Sequence, residues 1–409
     1  MKNIKNLTVA LLLGSPLFAL AQGFQVNLQG QVQQGMGGTG TACIQDGAAL
    51  FFNPGGVSFL KDNSVNAGLT PVIDNGLFLD KNTNLTYKTT SPVSYPFAIY
   101  GVFAVADSSR LKMGFAIYTP FGSTVDWEDG WVGRFALTHL QLQAVFFQPT
   151  LSYKVNKKLG IGAGFVYSSG RVNLQKDIPV VDANGRFGYA ELKGAANGYG
   201  FNAGIYYQPT EKLSIGLTYR SQVKMNVSEG EANFHVPATL AANFPNGKFT
   251  STIPLPQVVA IGLGLKATKK LMLALDVNFV GWQVYDTLAF DYSNNTTSLI
   301  DIKSARNYKN TFTFRLGGQY MVTEKMAVRI GAAYGISPIQ NGYVTPETPD
   351  ANRVNYTFGI GYIFTKKFGL NASFLFTQLK REDTNLETNL SGTYKTNVFS
   401  QGLSLFYNF

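Results

Sequence analysis

The stretch 268–279 reads TKKLMLALDVNF, a short polar turn followed by a segment in which every second residue is large and apolar. The apolar positions are Leu271, Leu273, Leu275, Val277 and Phe279. Asp276 and Asn278 stand between them. Because successive side chains of a strand point to opposite faces of a sheet, this pattern predicts a strand with one apolar and one polar face.

The same turn is written five times along the chain. Each copy has a polar residue, a charged residue and a lysine, and a large apolar residue follows it. The copies begin at Asn156, Thr210, Thr268, Thr323 and Thr365, with spacings of 54, 58, 55 and 42 residues. Each interval has room for two strands and a long loop. Tight turns on one side and long loops on the other are typical of transmembrane β-barrels.

The alternating segments predict an all-β fold, a fourteen-stranded antiparallel transmembrane β-barrel. The predicted strands are 64–73, 96–104, 111–119, 140–153, 159–173, 199–208, 213–226, 255–267, 271–285, 310–320, 326–334, 353–364, 368–379 and 395–409. Since fourteen is even, both ends of the barrel are expected on one side of the membrane. The last strand ends on Phe409, and such a terminal aromatic residue resembles the signal read by the outer-membrane barrel assembly machinery.

The composition agrees with a barrel better than with a soluble sandwich. Only 14% of the residues are charged, and the chain has 43 glycines, 21 tyrosines and 31 phenylalanines. The polar face of the predicted strands is mostly Gly, Ser, Thr and Asn, which suits a crowded lumen, whereas a sandwich exposes more charge there. The single cysteine, Cys43, excludes an internal disulfide.

The chain is basic, with a net charge of +10 that falls to +8 without Lys2 and Lys5. The remaining charge is scattered along the sequence, so no nucleic-acid partner is predicted. A basic surface of this kind could attract anionic headgroups or amphiphiles.

The first 21 residues have the features of a secretory signal peptide. Lys2 and Lys5 precede an apolar stretch that ends in ALA at 19–21, and Pro16 interrupts a run too short to span a bilayer. We therefore expect a mature chain from Gln22, located in the outer membrane of a Gram-negative bacterium.

Residues 22–62 do not follow the strand pattern. A glycine-rich stretch leads to an aromatic cluster and a rigid turn, namely Phe51, Phe52, Asn53, Pro54, Gly55 and Gly56. The apolar side chains of this segment need burial, which favours a compact N-terminal hatch inside the lumen over a flexible periplasmic tail. The predicted domains are therefore a signal peptide at 1–21, a hatch at 22–62 and a barrel at 63–409.

The chain resembles the FadL/TodX family of outer-membrane transporters for long-chain fatty acids and aromatic hydrocarbons. The resemblance rests on short motifs spread over the whole mature chain: GFQ at 23–25, DGA at 46–48, NPGG at 53–56, YTPFG at 118–122, WVGR at 131–134, FNAG at 201–204, YRS at 219–221, LPQ at 255–257, GW at 281–282 and PETPD at 346–350. It implies a fourteen-stranded barrel with an N-terminal hatch. Gly55 departs from the family pattern, which has alanine there, and is expected to loosen the turn.

Candidate ligand-binding residues lie in two predicted outer loops and in the lumen. The loop aromatics expected to collect an apolar substrate are Phe121, Trp127, Trp131 and Phe135, followed by Phe234 and Phe244. Strand phase points Arg220, Arg315 and Arg329 into the lumen, with Asp276 as a possible counter-ion. These arginines could hold a carboxylate head group or, alternatively, tie the hatch to the wall.

Pro120 and Gly122 are expected to end the third strand, because proline cannot donate to a sheet ladder and glycine weakens it. By resemblance to the family, substrate is expected to leave sideways into the membrane at this point.

The functional prediction is passive uptake of hydrophobic or amphipathic small molecules, with outer-membrane lipids and the barrel assembly machinery as partners. A receptor barrel for haem or adhesion and a general porin remain alternatives. Enzymatic activity is not predicted, because His139 and His235 are the only histidines and no catalytic triad spacing, zinc cluster or phosphate loop is present. No cofactor and no metal are expected.

Overall fold

The structure is a computed structural model that describes residues 23–107 and 109–409. It confirms the all-β prediction, since fourteen antiparallel strands close into a barrel. The expected signal peptide at 1–21, together with Gln22, lies outside the described residues.

The described residues form twenty strands, of which fourteen make the closed ring. In chain order they are β1 Ser64–Leu69, β2 Val72–Asp80, β3 Thr86–Lys88, β4 Phe97–Ala104, β5 Leu111–Asp126, β6 His139–Lys154, β7 Leu159–Val181, β8 Phe187–Tyr207, β9 Leu213–Arg220, β10 Val223–His235, β11 Gly247–Leu255, β12 Val258–Lys266, β13 Leu271–Val280, β14 Thr287–Tyr292, β15 Ile302–Ala305, β16 Thr311–Met321, β17 Met326–Gly335, β18 Arg353–Ile363, β19 Phe368–Thr384 and β20 Ser391–Asn408. The ring runs β1, β4 to β9, β12, β13 and β16 to β20.

The ring closes where β1 pairs with β20, from Ser64 opposite Asn408 to Leu69 opposite Leu403. The other six strands continue the wall at the end away from the tight turns. There, β2 pairs with β20, and β10 pairs with β8 and β11. The hairpin of β7 and β8 is the longest, with 23 and 21 residues.

Several predicted strand bounds were too short at the loop end. The predicted segment 199–208 is part of β8, which begins at Phe187, and the predicted segment 111–119 is part of β5, which continues to Asp126. The reason is that strand pairing persists beyond the lipid, where the apolar alternation that marks a membrane strand no longer applies.

The two faces of the strands are those expected from the alternation. On β13, Leu273 and Leu275 are exposed on the outside, whereas Asp276 and Asn278 are buried in the lumen. The outward face therefore carries the apolar residues that meet lipid.

The repeated turn is closed by its first residue. Thr268 Oγ1 accepts hydrogen bonds from the backbone N–H groups of Lys270 at 3.1 Å and Leu271 at 3.0 Å. In the first copy of the turn, Asn156 Oδ1 accepts hydrogen bonds from the backbone N–H groups of Lys158 and Leu159. A short side chain with an oxygen acceptor thus replaces a backbone acceptor in the tight turn, which explains why Thr or Asn stands first.

Residues 23–60, which we call the N-terminal segment, lie inside the barrel. They form two short helices, α1 Gln31–Gly35 and α2 Ala49–Phe52, followed by a 3-10 helix at Pro54–Phe59. Every residue of α1 and α2 is buried. In the described part of the chain, no helix is long and apolar enough to cross a membrane.

Candidate functional site

The N-terminal segment is fixed to the barrel wall by hydrogen bonds at its turns. Asp276 Oδ2 on β13 accepts the backbone N–H groups of Gly40 and Thr41, both at 2.9 Å. Asn53 donates from Nδ2 to the carbonyls of Thr41 at 2.7 Å and Ile205 at 3.0 Å. These contacts hold both the middle and the end of the segment against the wall.

The wall also makes room for this segment with small residues. A Cβ atom added at Gly216 would overlap the carbonyl of Thr41, and one added at Gly317 would overlap that of Met36. At Gly55 an added Cβ would lie 2.6 Å from the carbonyl oxygen of Gly204. Gly55 therefore brings the turn close to the wall, and its loosening of the turn stays a prediction.

The three predicted lumen arginines do point inward, and they contact the N-terminal segment or its surroundings. Arg220 donates to the carbonyl of Phe51 at 3.2 Å, with its guanidinium 4.0 Å above the Phe51 ring. Arg315 donates to the carbonyl of Gly38 at 2.8 Å and also to Asn27. Arg329 donates to Gln319 Oε1 at 2.7 Å. In this conformation, Arg220 and Arg315 tie the segment to the wall.

Asp276 lies opposite Arg315 in the register of β13 and β16. Its Oδ2 atom is occupied by the two backbone N–H groups of the N-terminal segment, and its Oδ1 atom is buried without a hydrogen-bond partner. Its clearest role in the structure is therefore that of an acceptor for the segment.

A cavity of about 510 Å³ lies on the loop side of the N-terminal segment. Its apolar lining includes Leu77, Val125, Trp127, Leu142, Leu379 and Val398. Residues 23–28 line the cavity from within, and residues 91–96 and 122–125 line it at the wall. The volume and apolar lining suit a small hydrophobic ligand.

The wall is incompletely paired beside this cavity. The register of β4 and β5 ends at Ala98 opposite Tyr118, and the next pairing on this side is the bridge between Thr89 and Trp127. In residues 23–107 and 109–409, no backbone hydrogen bond joins 92–96 to 120–125. Pro92 and Pro96 lack the N–H that a ladder needs. The cavity thus reaches a gap in the wall.

Strand β5 is bulged at this gap. Tyr118 pairs with Phe146 and Phe121 with Ala144, so β5 has one more residue than β6 between these pairs. The prediction that the strand ends near Pro120 and Gly122 is wrong, because a bulge absorbs the extra residue and the strand continues. The local irregularity predicted there is present.

The N-terminal segment pairs with the bulge from inside the barrel. Val26 donates to the carbonyl of Pro120 at 2.8 Å, and Gly122 donates to that of Phe24 at 3.2 Å, around a bridge between Gln25 and Phe121. Backbone groups that the neighbouring strand leaves unpaired are thereby satisfied. The start of the N-terminal segment is therefore hydrogen-bonded to the strand that borders the gap.

The first set of predicted loop aromatics is only partly brought together. Trp127 and Trp131 stack with ring centroids 4.3 Å apart, and both are buried. Phe121 lies lower, 6.1 Å from the Phe24 ring. Phe135 is 37% exposed and lies apart from them, beneath the guanidinium of Arg134. Of the four, Trp127 lines the cavity.

The second set forms a separate cluster among the loops. Phe234 lies 6.2 Å from Phe244 and 5.9 Å from Tyr292, measured between ring centroids. Neither Phe234 nor Phe244 lines the cavity described above. The two predicted collecting sets are therefore distinct surfaces.

The sequence reasoning missed Arg353, the first residue of β18. It lines the cavity together with Asp74 and Asp350, and its Nε atom is buried without a hydrogen-bond partner. Glu347 also lines the cavity, but Arg306 neutralises it at 2.6 Å. The PETPD motif at 346–350 ends three residues before Arg353, and it was the feature of the sequence that could have drawn attention to this residue.

The two histidines are engaged separately. His139 Nδ1 pairs with Asp126 Oδ1, and the His235 ring stacks on Tyr189 with centroids 4.2 Å apart. Within the described residues, no group of three or more His, Cys, Asp and Glu side chains is placed to hold a metal ion.

Comparison with known proteins gives a consistent result over the full length. The sequence model of the outer membrane protein transport protein family (OMPP1/FadL/TodX) matches residues 13–409. A 47 kDa outer membrane protein of Pasteurella multocida is 25% identical over 434 residues, covering 98% of this chain and 96% of the relative. A long-chain fatty acid transport protein of Escherichia coli O6:H1 is 22% identical, with 85% of each chain covered.

Two solved structures share the fold. A FadL homologue of Pseudomonas aeruginosa superposes with a TM-score of 0.82 at 19% identity, covering 95% of this chain and all of the other. The toluene transporter TodX of P. putida gives a TM-score of 0.73 at 16% identity, covering 96% and 99% of the two chains.

Proposed function

The chain belongs to the OMPP1/FadL/TodX family of outer-membrane transport proteins, and from that premise we propose that it takes up hydrophobic or amphipathic small molecules by passive passage. Long-chain fatty acids and aromatic hydrocarbons are the proposed substrate classes, since relatives are named for fatty acid and toluene transport. As the family is one of transport channels, the chemistry required of the site is binding and release.

The observation that carries the proposal is the continuity between the apolar cavity and the gap in the wall. A ligand in the cavity lies beside residues 91–96 and 122–125, which border the gap. Release there places an apolar molecule directly into the hydrocarbon phase. Passage through the periplasmic end would instead require displacement of the buried N-terminal segment.

The proposed entry is through the outer loops. Phe135 is exposed and can meet a ligand first, and the stacked pair of Trp127 and Trp131 separates the loop surface from the cavity. Phe234 and Phe244 form the second collecting surface. Phe121, beneath the cavity, packs against Phe24, so a movement of the N-terminal segment would change the packing of its ring.

Arg353 is the proposed contact for a carboxylate head group. Its guanidinium lines the cavity with an unpartnered Nε, and a planar fork of N–H donors matches a carboxylate. Arg220, Arg315 and Arg329 would reach a ligand only after the N-terminal segment moves, so their proposed ligand role belongs to an open state.

We propose the domain division given by the sequence, with a signal peptide at 1–21, a hatch at 22–62 and a barrel at 63–409. The hatch residues Phe51 to Gly56 are proposed to keep the lumen closed, with Pro120 and Gly122 at the gate. The barrel assembly machinery and outer-membrane lipids are the proposed partners.

Deletion of Pro120 tests the release route, because it removes the extra residue of β5 and restores an even register with β6. The matched control is Pro120→Ala, which keeps the residue count and therefore the bulge. In a host that lacks its own fatty-acid uptake protein, the deletion is expected to abolish uptake of labelled oleate, while the control retains it. Ligand binding by the purified proteins, followed by tryptophan fluorescence, is expected to persist in both. Full uptake by a folded deletion variant would overturn the lateral route.

A further inference from the structure

One end of the barrel carries many exposed cations and few acidic residues. Eleven of these cations lie on or beside the tight turns, and we call this set the basic collar: Lys61, Arg110, Lys157, Lys158, Lys212, Lys266, Lys269, Lys270, Lys325, Lys366 and Lys367. Four acidic residues share this end: Asp62, Asp107, Glu211 and Glu324. Eleven cations against four acidic residues leave this end with a net charge of +7 from these residues.

The protein does not neutralise the collar itself. In the part of the chain that the structure describes, seven ion pairs form within 4.0 Å, and none includes a collar residue. All seven pairs lie at the loop end, such as Lys81 with Glu382. Three collar residues, Lys61, Lys266 and Lys325, line the mouth of the lumen at this end, so the other eight are the ones that face the surroundings of the barrel. Two further cations at the turn end face inward, since Lys112 donates to the carbonyl of Leu60 and the Lys154 ammonium lies over the Phe59 ring.

A band of exposed aromatic rings lies on the outer surface next to the collar. Its members are Phe103, Tyr153, Tyr207, Tyr320, Tyr362, Phe364, Phe368, Tyr407 and Phe409, each between 36% and 60% exposed. Aromatic girdles of this kind mark the level at which a barrel leaves the hydrocarbon and meets the headgroups. The collar follows these rings by a few residues, so it lies at the height of the lipid phosphates.

The collar belongs to the periplasmic leaflet. Both chain ends of the barrel and all the tight turns are on this side, whereas the long connections are on the other. In a transport protein of the outer membrane, the short turns face the periplasm.

We propose that the basic collar binds the phosphodiester groups of anionic glycerophospholipids in the periplasmic leaflet. Lysine is a compact, flexible cation suited to a phosphate as a point charge. Three of the turns present two adjacent lysines, at 157–158, 269–270 and 366–367. Each such pair can hold one headgroup against the aromatic band.

The distribution of the collar favours lipid over an acidic protein. The turns connect strand pairs around the whole circumference, so their lysines form a ring in the plane of the headgroups rather than one contiguous patch. A ring of this shape matches the annulus of lipids that surrounds a barrel, whereas a single protein partner would cover only a part of it.

The test measures lipid selectivity of the full chain, purified in a zwitterionic detergent. Native mass spectrometry counts the bound lipids after addition of phosphatidylglycerol and phosphatidylcholine with identical acyl chains. We expect phosphatidylglycerol to be preferred by at least about tenfold, since each basic residue near an anionic surface contributes substantially. The preference is expected to fall when the salt concentration is raised from about 0.05 M to about 0.5 M, because phosphates and exposed lysines are screened.

A sixfold variant tests the collar itself, with Lys157, Lys158, Lys269, Lys270, Lys366 and Lys367 each changed to Gln. The matched control changes six exposed lysines of the loop end, Lys88, Lys224, Lys303, Lys309, Lys380 and Lys395, to Gln. Loss of the preference in the collar variant, with retention in the control, supports the proposal. An unchanged preference in the collar variant overturns it, as does equal binding of both lipids by the wild type.

A charge-preserving variant covers the case in which the sixfold change impairs folding. The same six lysines changed to Arg keep the charge, and this protein is expected to retain the lipid preference. Loss of the preference in a folded Arg variant would contradict the electrostatic account.

Discussion

The backbone N–H of Gly23 donates to Oδ2 of Asp350 at 3.0 Å, which ties the start of the described chain to the loop between β17 and β18. The same carboxylate oxygen accepts the Ser337 hydroxyl at 3.0 Å. Gly23 has a φ of 60°, and an added Cβ would lie 2.8 Å from the Trp282 ring. This corner beside the cavity therefore depends on glycine at one partner and on an acceptor oxygen at the other.

The first prediction concerns the charge of Asp350. Burial raises the pKa of this carboxyl to about 6, against the lowering influence of Arg353. The folded state therefore binds the proton more tightly than the unfolded state. The stability from this group is present below the ordinary aspartate pKa of 3.8 and is lost as pH rises through about 6. From about pH 4 to about pH 7, the free energy of unfolding is expected to fall by up to about 3 kcal/mol more in the wild type than in Asp350→Asn. Denaturant unfolding at each pH measures this difference, and parallel profiles would contradict it.

The second prediction concerns the hydrogen bonds that fix the N-terminal segment to Asp276. Asp276→Ala removes the acceptor for Gly40 and Thr41, and each hydrogen bond to a charged group is worth about 1.5–3 kcal/mol. The segment is expected to leave the wall more often, so the ion conductance in planar bilayers increases. Asp276→Asn keeps one acceptor oxygen and is the control, with a smaller increase expected. Identical conductance in the wild type and the Ala variant would show that the segment does not depend on this contact.

The third prediction concerns the approach of Gly55 to the wall. Gly55→Ala places a methyl group 2.6 Å from the Gly204 carbonyl oxygen, so the turn must move. Overpacking of this kind is expected to cost about 1–3 kcal/mol, measured as the free energy of unfolding. Gly318→Ala is the matched control, because its new Cβ has no neighbour closer than 3.4 Å. Equal stability of the Gly55 variant and the wild type would refute the close packing.

The fourth prediction separates ligand classes at Arg353. Arg353→Met preserves much of the side-chain length but removes the N–H donors facing the cavity. Affinity for oleate is expected to fall by about tenfold or more, as a charge-assisted contact is lost. Affinity for toluene is expected to stay within about twofold. Tryptophan fluorescence is the readout, because Trp127 lines the same cavity. An equal loss for both ligands would indicate a structural role for Arg353.

The sequence was sufficient for the fold because alternation and turns are local signals. The turn at Thr268 and the alternating residues of β13 needed no partner strand to be recognised. The inward direction of Arg315 followed from the same two-residue period, since the phase of a strand fixes which face each side chain takes.

The candidate site was harder to predict from the sequence than the fold, since its residues meet only after the ring closes. Phe135 and Trp131 are close in sequence, yet one is exposed and the other is buried against Phe78. The gap beside β5 depends on the pairing of Ser94 and Pro96 with Val72 and Thr70 on the other side, and a sequence pattern does not encode that pairing. Pro120 was a local signal for the irregularity of β5, and Pro92 and Pro96 were a second one across the gap, because proline cannot donate to a ladder.

The closure of β1 on β20 also sets an order for how this molecule is built. The two strands that seal the cylinder stand at opposite ends of the barrel sequence, so sealing must await synthesis of the final residues. Residues 23–60 contact strands from both halves of the barrel sequence, including β4 through Tyr100 and β19 through Ser373. We therefore expect the leading segment to dock before or during closure of the ring, because the strands that contact it surround it.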